Sequence, residues 1–380
     1  MKELFQSVPM ELGGEELPLD ATITARRSAE PFMAKHASEV QKKITAALSD
    51  LDKGTYVEPS KIIVSEWLDT WLEIYKKSEI KPMTYINYRA KIKNHIKPAI
   101  GKYKLNDLRV DIIQDMINKL SSVKKLSPET VRGIYNITHD CLNKAVKNGL
   151  LIKNVAVDIT LPKIIKKEVR VFTTAEQERF IEEAEKIYVG EMFIFDLGTG
   201  LRIGELLALT WSEVNFDEEI IRVKRTLNIL KDFDDDESKW RKEFGSPKTE
   251  SSNRSIPLLP DLVTLLKQVR QKQNELIKFV GSAYEHNNLV FATQLGKPLD
   301  PRNMQRTFKT IADKANITGA TIHSCRHTFA TRGLENGIEL RVMQELLGHA
   351  NIKMTADLYT HVLPDKKRDS ILKLSGTIKI

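Results

Sequence analysis

Cysteine is nearly absent: the 380 residues hold two, Cys141 and Cys325. They lie far apart and match no metal-ligand spacing, which argues against a disulfide framework or a zinc module and fits a reducing compartment. Also missing is any apolar run near the ~18–20 residues needed to cross a bilayer. The opening MKELFQSVPMELGGEELPLD has neither the basic start nor the apolar stretch of a signal peptide. A soluble, cytoplasmic protein without membrane contact is expected. There is no Walker A loop, no glycine-rich dinucleotide turn and no Asp/Glu set of the kind a two-metal nuclease needs. The acids of KDFDDDE, from Lys231 to Glu237, are too contiguous and loop-like for a metal cage, so no metal, ATP or other cofactor is expected. Internal repeats and low-complexity tracts are missing as well.

What the chain does have is length and positive charge. With 41% hydrophobic residues it can bury more than one core, so two or three domains are expected. Its 59 Lys and Arg against 51 Asp and Glu give a formal charge of +8, a balance that suits a polyanionic partner better than an acidic metabolite.

The organisation follows from periodicity. Residues 1–61 form an N-terminal extension, acidic at its start, with one helix over about residues 38–53. There Ser38 and Gln41 make a capping-box pattern, Val40, Ile44, Leu48 and Leu51 share a face, and Gly54 ends it. Residues 62–160 read as a helical bundle. A stripe of Trp67, Trp71 and Ile74 opens it, Pro82 starts a second helix to about Ile96, and a third covers about Val110 to Leu120. The fourth begins at Ser127-Pro128, an N-cap followed by Pro in the first turn, and runs to Lys147. Residues 161–169, basic and with one Pro, are a linker. Residues 170–380 form a mixed α/β block. It opens on a helix capped by Thr173 and Glu176, followed by a buried helix around Met192 to Leu197. A short β region should pair Ile220–Leu227 with Arg254–Leu258, and helices continue to about Leu374. The fold class is therefore mainly α with a small antiparallel β-sheet.

Four segments of the last block carry the chemistry: TGLRIGELLAL from Thr199, GSPKTE from Gly245, HSCRHT from His323, and LGHA from Leu347 with Tyr359 ten residues after its His. Arg202 and Glu205 lie three apart in a Leu-rich helical stretch and should share a face. Leu201, Ile203, Leu206, Leu207 and Leu209 leave little open surface there, so a charge needs a partner or a ligand. His323 and Arg326 share the same spacing, and Arg offers a planar fork for phosphate oxygens. His327 points away from Arg326 and is read as supporting structure. Lys248 sits in a turn from which it can reach a closed site as a proton donor. On one continuous helix His349 and Tyr359 would stand about 80° apart, so a helix break between them is expected.

Together these residues suit a phenol attacking a phosphodiester inside a cage of cations. In-line attack builds negative charge on the non-bridging oxygens, which fixed cations stabilise most in a water-poor pocket. A Tyr with a pKa near ~10 needs neighbouring charge or a His to lose its proton, and the departing 5′-hydroxyl needs an acid such as Lys.

With these motifs in order, the chain resembles the tyrosine recombinase (phage integrase) family from about Ile62 to Leu374. The first Arg motif is matched at Arg202, the hairpin Lys at Lys248, His-x-x-Arg at His323 and Arg326, and Leu-Gly-His-x9-Tyr at His349 and Tyr359. The resemblance implies that Tyr359 is the nucleophile, forming a 3′-phosphotyrosyl bond. Arg202 and Arg326 then bind the scissile phosphate, His323 and His349 assist, Lys248 is the general acid and Glu205 orders the site. It implies a helical core-binding domain and a mixed α/β catalytic domain closing on double-stranded DNA at specific core sites as a C-shaped clamp. Strand exchange through a Holliday junction in a homo-tetramer is also implied, with an excisionase and a DNA-bending host protein as possible helpers. Thr84, Tyr88 and Lys91 on one helix, with Arg132 and Asn136 on another, are the candidate DNA contacts. Within the family, the segment before Ile62 is similar to integrases of conjugative transposons and temperate phages of low-GC Gram-positive bacteria. A type IB topoisomerase-like enzyme and a non-catalytic DNA-binding regulator are the competing expectations. The length of the helical domain and the complete catalytic set favour recombination.

Overall fold

The computed structural model describes residues 61–165, 169–231, 240–245 and 253–359, together with Gln41 and Thr45. The extension before residue 61, with its expected helix, and the chain after Tyr359 lie outside the described residues, as does most of the acidic insertion. The chain divides into two compact units, Met1–Lys81 with Asn87–Ile164 and Pro82–Ile86 with Ile165–Ile380.

The first unit is helical. Helix α1 (Val64–Thr70) runs on into a wider-wound turn over Trp71–Lys76, in which the Lys77 N–H donates to Leu72 O five residues back at 3.0 Å. Trp67, Leu68, Trp71 and Leu72 are buried, but Ile74 is 66% exposed. The apolar stripe expected through Ile74 is thus corrected: the looser winding keeps a step of three residues from returning to the buried face. Helix α2 (Pro82–Lys91), whose residues Pro82–Ile86 group with the second unit, continues through Ile92–Ile96 and Lys97–Ile100 and buries Ile92, Ile96 and Ile100 at every fourth position. Helix α3 (Val110–Ser122) inserts Ile113, Met116, Ile117 and Leu120, the spacing of one helix face. Helix α4 (Pro128–Lys147) is capped by Ser127, whose Oγ accepts from the Thr130 N–H at 3.3 Å. The Trp67 indole N–H donates to Cys141 O at 3.0 Å and ties α1 to α4.

The second unit begins with α5 (Thr174–Glu185). Its capping box is reciprocal: Glu176 N–H donates to Thr173 Oγ1 at 3.2 Å and Thr173 N–H to Glu176 Oε2 at 2.9 Å. Helix α6 (Gly190–Thr199) is buried on most sides and packs on α5. It ends at Gly200, whose φ of 60° is left-handed and favours Gly. A single turn follows, α7 (Ile203–Leu206).

Strand β1 (Val214–Asn215) pairs antiparallel with β2 (Ile220–Val223), and β2 pairs with β5 (Arg254–Pro257) in the register Ile221 to Ile256 and Val223 to Arg254. The expected pairing of Ile220–Leu227 with Arg254–Leu258 therefore holds for its first half alone. Thr226 and Leu227 belong to β3 (Thr226–Lys231), which forms a separate hairpin with β4 (Trp240–Gly245).

Helices α8 (Pro260–Val280), α9 (Pro301–Lys314), α10 (Ile322–Glu335), α11 (Leu340–Leu347) and α12 (Ile352–Tyr359) complete the unit. Phe172, Phe180, Phe193 and Phe308 form an aromatic centre between α5, α6 and α9. Helix α10 packs along α6, so the chain after α6 and the start of α10 meet where the site residues are carried. Among the described residues no helix is long and apolar enough to cross a membrane.

Candidate active site

Arg202 is not inside a helix, as its spacing from Glu205 had suggested. It caps α7 with extended backbone, ψ 146°, and Glu205 occupies the third helical position. The pairing nevertheless forms: Arg202 Nη1 donates to Glu205 Oε1 at 2.8 Å and the Arg202 N–H donates to Oε2 at 3.1 Å. Glu205 is 3% exposed and Arg202 35%, so the carboxylate is sealed beneath the guanidinium.

Helix α11 ends in a left-handed turn at Gly348, φ 62°, which breaks the chain between His349 and the helix bearing Tyr359. Such a helix end leaves backbone carbonyls without partners inside the helix and carries partial negative charge. Three successive carbonyls here each accept from a different arginine. Arg254 Nε donates to Leu346 O at 2.6 Å, Arg326 Nη2 to Leu347 O at 2.6 Å, and Arg202 Nη2 to Gly348 O at 2.9 Å. Arg326 also donates from Nη1 to Gly200 O at 2.6 Å, joining α10 to the turn after α6. Arg254 donates from Nη2 to Glu205 Oε2 at 3.0 Å.

Burial raises the Glu205 carboxyl, but the hydrogen bond and charge of Arg254, with the charge of Arg202, more than reverse this and leave its pKa below the ordinary value. Burial, then the charge of Arg202, pushes Arg326 down to about 9, so it stays cationic at neutral pH. Three guanidinium groups gather here, and the single carboxylate of Glu205 does not by itself neutralise their charge.

His349 is buried, and its Nδ1 lies 2.9 Å from Thr355 Oγ1 on α12. Burial, followed by the charges of Arg326 and Arg202, lowers its pKa to about 3, so the ring is neutral at neutral pH. His323, on the first turn of α10, is exposed, yet the protein packed near its ring, followed by the charges of Arg326 and Arg202, lowers its pKa. Its ring meets that of His327 edge-on, centroids 4.5 Å apart, so His327 backs His323.

Arg202, Glu205, Arg326 and His349 thus lie around one helix end, and the shared electrostatic neighbourhood includes His323. Lys248 lies outside the described residues. Tyr359 is the last residue of α12, and its side chain likewise lies outside them. A cleft of about 590 Å³ opens beside the cluster, lined by Arg254, Arg341, Gln344, Gly348 and His349 among others. Among the described residues no group of three or more His, Cys, Asp or Glu side chains is placed to hold a metal ion.

Sequence reading passed over Arg254, taking it as a strand residue. A signal was present: Arg254 and Ile256 are two apart in β5, so strand alternation turns both to the same face, and Ile256 is buried. An arginine on a buried face needs a partner. Thr355 and the fully buried Asp196 were passed over as well.

In the first unit, Lys91 lies over Gly133 on α4, where a Cβ would collide with its ammonium group. That contact sets Lys91 beside the turn bearing Arg132 and Asn136. Asn136 is exposed. Arg132 Nε donates to Pro162 O at 3.0 Å, so this side chain also ties down the segment leaving the unit. Tyr88 stacks on Trp71, centroids 6.2 Å apart, and serves packing on that face. Thr84, in the stretch of α2 that groups with the second unit, is half-buried in its first turn.

Comparison with known proteins decides the family. The phage integrase family model matches residues 170–366, and the model for the N-terminal SAM-like domain of phage integrases matches residues 63–121. The chain belongs to the phage integrase family. It is 31% identical over 355 residues to a tyrosine recombinase XerC-like protein of Caldanaerobacter subterraneus subsp. tengcongensis, covering 90% of each chain. It is 24% identical over 314 residues to the ICEBs1 integrase of Bacillus subtilis, covering 81% of this chain and 83% of the relative. In fold it is similar to the Tn1549 transposon integrase solved with a circular intermediate DNA, with a TM-score of 0.69 and 21% identity over 83% of this chain and 100% of the other. The mainly α fold with a small antiparallel sheet, expected from periodicity, is the fold of these recombinases. The protein is a tyrosine recombinase, an enzyme that cleaves and transfers DNA strands.

Proposed function

We propose that this recombinase integrates and excises a mobile genetic element at specific core sites in double-stranded DNA. The Tyr359 phenol oxygen attacks the scissile phosphorus, the bond to the 5′-oxygen breaks, and Lys248 gives that oxygen its proton. The resulting 3′-phosphotyrosyl bond keeps the phosphodiester energy, so a 5′-hydroxyl from a partner strand restores the backbone without ATP. Two rounds of this exchange pass through a Holliday junction and require four active sites, hence a homo-tetramer on DNA. An excisionase and a DNA-bending host protein fit the same scheme as accessory partners. Lys91, Arg132 and Asn136, with Thr84 and Tyr88, are the proposed DNA contacts of the helical domain.

The observation that carries this reading is the meeting of Arg202, Arg326 and His349 on one helix end, with positive charge in excess of what Glu205 neutralises. A phosphodiester carries the missing negative charge, and more develops on it in the transition state. Arg202 and Arg326 take the non-bridging oxygens in this scheme. Neutral His349 and His323 supply hydrogen bonds and help move the phenol proton, and Glu205 holds Arg202 in place.

Covalent capture tests it. Wild-type protein and Tyr359→Phe are incubated with nicked fragments of DNA from a host carrying the element, and detergent-resistant protein-linked ends are sequenced. Adducts at a few defined sites, lost in Tyr359→Phe while DNA binding is kept, are the expected result. Adducts in the mutant would remove Tyr359 as the nucleophile. Scattered adducts would indicate a topoisomerase-like enzyme, and salt-sensitive binding without adducts a regulator.

A further inference from the structure

The three arginines at the end of α11 differ in what else they touch. Arg202 keeps about a third of its side chain open, and Arg326 reaches across to the turn after α6. Arg254, with 6% of its side chain exposed, uses one edge of its guanidinium to bridge two groups, Leu346 O through Nε and Glu205 Oε2 through Nη2. Glu205 in turn holds both the backbone and the side chain of Arg202. A continuous relay therefore runs from the Leu346 carbonyl through Arg254 and Glu205 to Arg202, and Arg202 closes it by donating to Gly348 O on the same helix end.

We infer that Arg254 is a positioning residue of the strand-cleavage reaction, clamping Glu205 to the end of α11 and thereby fixing where Arg202 stands. This rests on the proposal that Arg202 binds the scissile phosphate. Without the clamp, Glu205 keeps its ties to Arg202 but loses its own link to α11, leaving Arg202, through Gly348 O, to hold the pair to that helix end. A planar fork is needed for the bridge. Lysine carries the same charge, but its compact ammonium lacks the two parallel donors of the flat fork and does not reproduce this bridge. Displacing a substrate-holding group by about 1 Å costs on the order of 10²-fold in rate.

The test is a cycle of Arg254→Lys, Arg202→Ala and the double variant, each with its melting temperature, its affinity for core-site DNA and its single-turnover rate of covalent attachment at saturating DNA. Arg254→Lys is expected to remain folded and bind DNA as wild type does, with attachment slowed about 10²-fold. In the Arg202→Ala background the same substitution is expected to change the rate less than about 3-fold, because the residue it positions is gone. A merely structural role would slow both backgrounds alike. Arg254→Lys at the wild-type rate, or equal losses in the two backgrounds, overturns the inference. Arg202→Ala at the wild-type rate would instead overturn the phosphate-binding proposal beneath it. Should Arg254→Lys fail to fold, Arg254→Gln, which keeps a donor and drops the charge, is read against the same outcomes.

Discussion

Replacing Glu205 by glutamine isolates the charge of the carboxylate that pairs with Arg202 and Arg254. The side chain is 3% exposed and faces Arg254, 6% exposed, and Arg202, 35% exposed. Glutamine keeps the shape and one acceptor oxygen, but its amide turns donors toward donors already present on Arg202 or Arg254. The nearly buried Arg254 guanidinium then loses the counter-charge that Glu205 supplies. Removing one partner of such a pair costs about 3–5 kcal/mol, while the more exposed Arg202 contact adds little. For a unit of this size each kcal/mol lowers the transition by ~2–4 °C, so Glu205→Gln should melt roughly 6–20 °C below wild type. Calorimetry at pH 7 reads this on the transition of the catalytic unit. Glu218→Gln, which breaks the open Arg222–Glu218 contact of 3.1 Å, is the control and should shift it by no more than about 2 °C. The pH dependence has a definite sign. The folded pKa of Glu205 lies below the ordinary 4.5, so its stabilisation is complete above that value and is lost as pH falls through the folded one. The gap between wild type and Glu205→Gln should be full at pH 7 and narrow in acid. Glu205→Gln melting with the control would refute the claim that this carboxylate offsets the arginine charge.

Two further outcomes are expected. Lys248→Ala should slow covalent attachment by about 10²–10⁴-fold, and replacing the 5′-bridging oxygen with sulfur, a better leaving group, should restore much of the rate; a defect equally large on the sulfur substrate would rule out a general acid. Asp196 is fully buried, neither carboxylate oxygen has a hydrogen-bond partner among the described residues, and burial holds its pKa well above 3.8. A raised folded pKa means its stabilisation is complete below the unfolded value and is lost as pH rises. Asp196→Asn should therefore gain melting temperature relative to wild type as pH rises above the ordinary carboxylate range, and parallel profiles would show that Asp196 does not titrate with folding.

Parts of this protein were readable because short-range chemistry sets them. Ser127 before Pro128, and Thr173 with Glu176, mark helix starts whose caps involve only neighbours in sequence. Gly348 marks a helix end for an equally local reason, its left-handed backbone. What escaped reading depends on partners distant in sequence or on groups common to every residue. The strand Trp240–Gly245 reads as WRKEFG, without the alternation of a half-buried strand, and is specified by its pairing with Thr226–Lys231. Ile74 left the expected stripe because the local winding changed, which no periodicity count contains.

The arginine cluster shows the same division more sharply. Arg202, Arg326 and His349 stand out as residue types at telling positions. The groups that hold the arginines are the carbonyls of Leu346, Leu347 and Gly348, which any residue would supply. Their directions come from how α11 ends, and the third guanidinium that completes the set arrives from β5, 92 residues before the carbonyl it meets. Residue identity therefore points to the chemistry, while backbone termination decides its geometry. Substitutions that shift the end of α11 should then disturb cleavage as surely as loss of an arginine, without removing any group proposed to touch the phosphate.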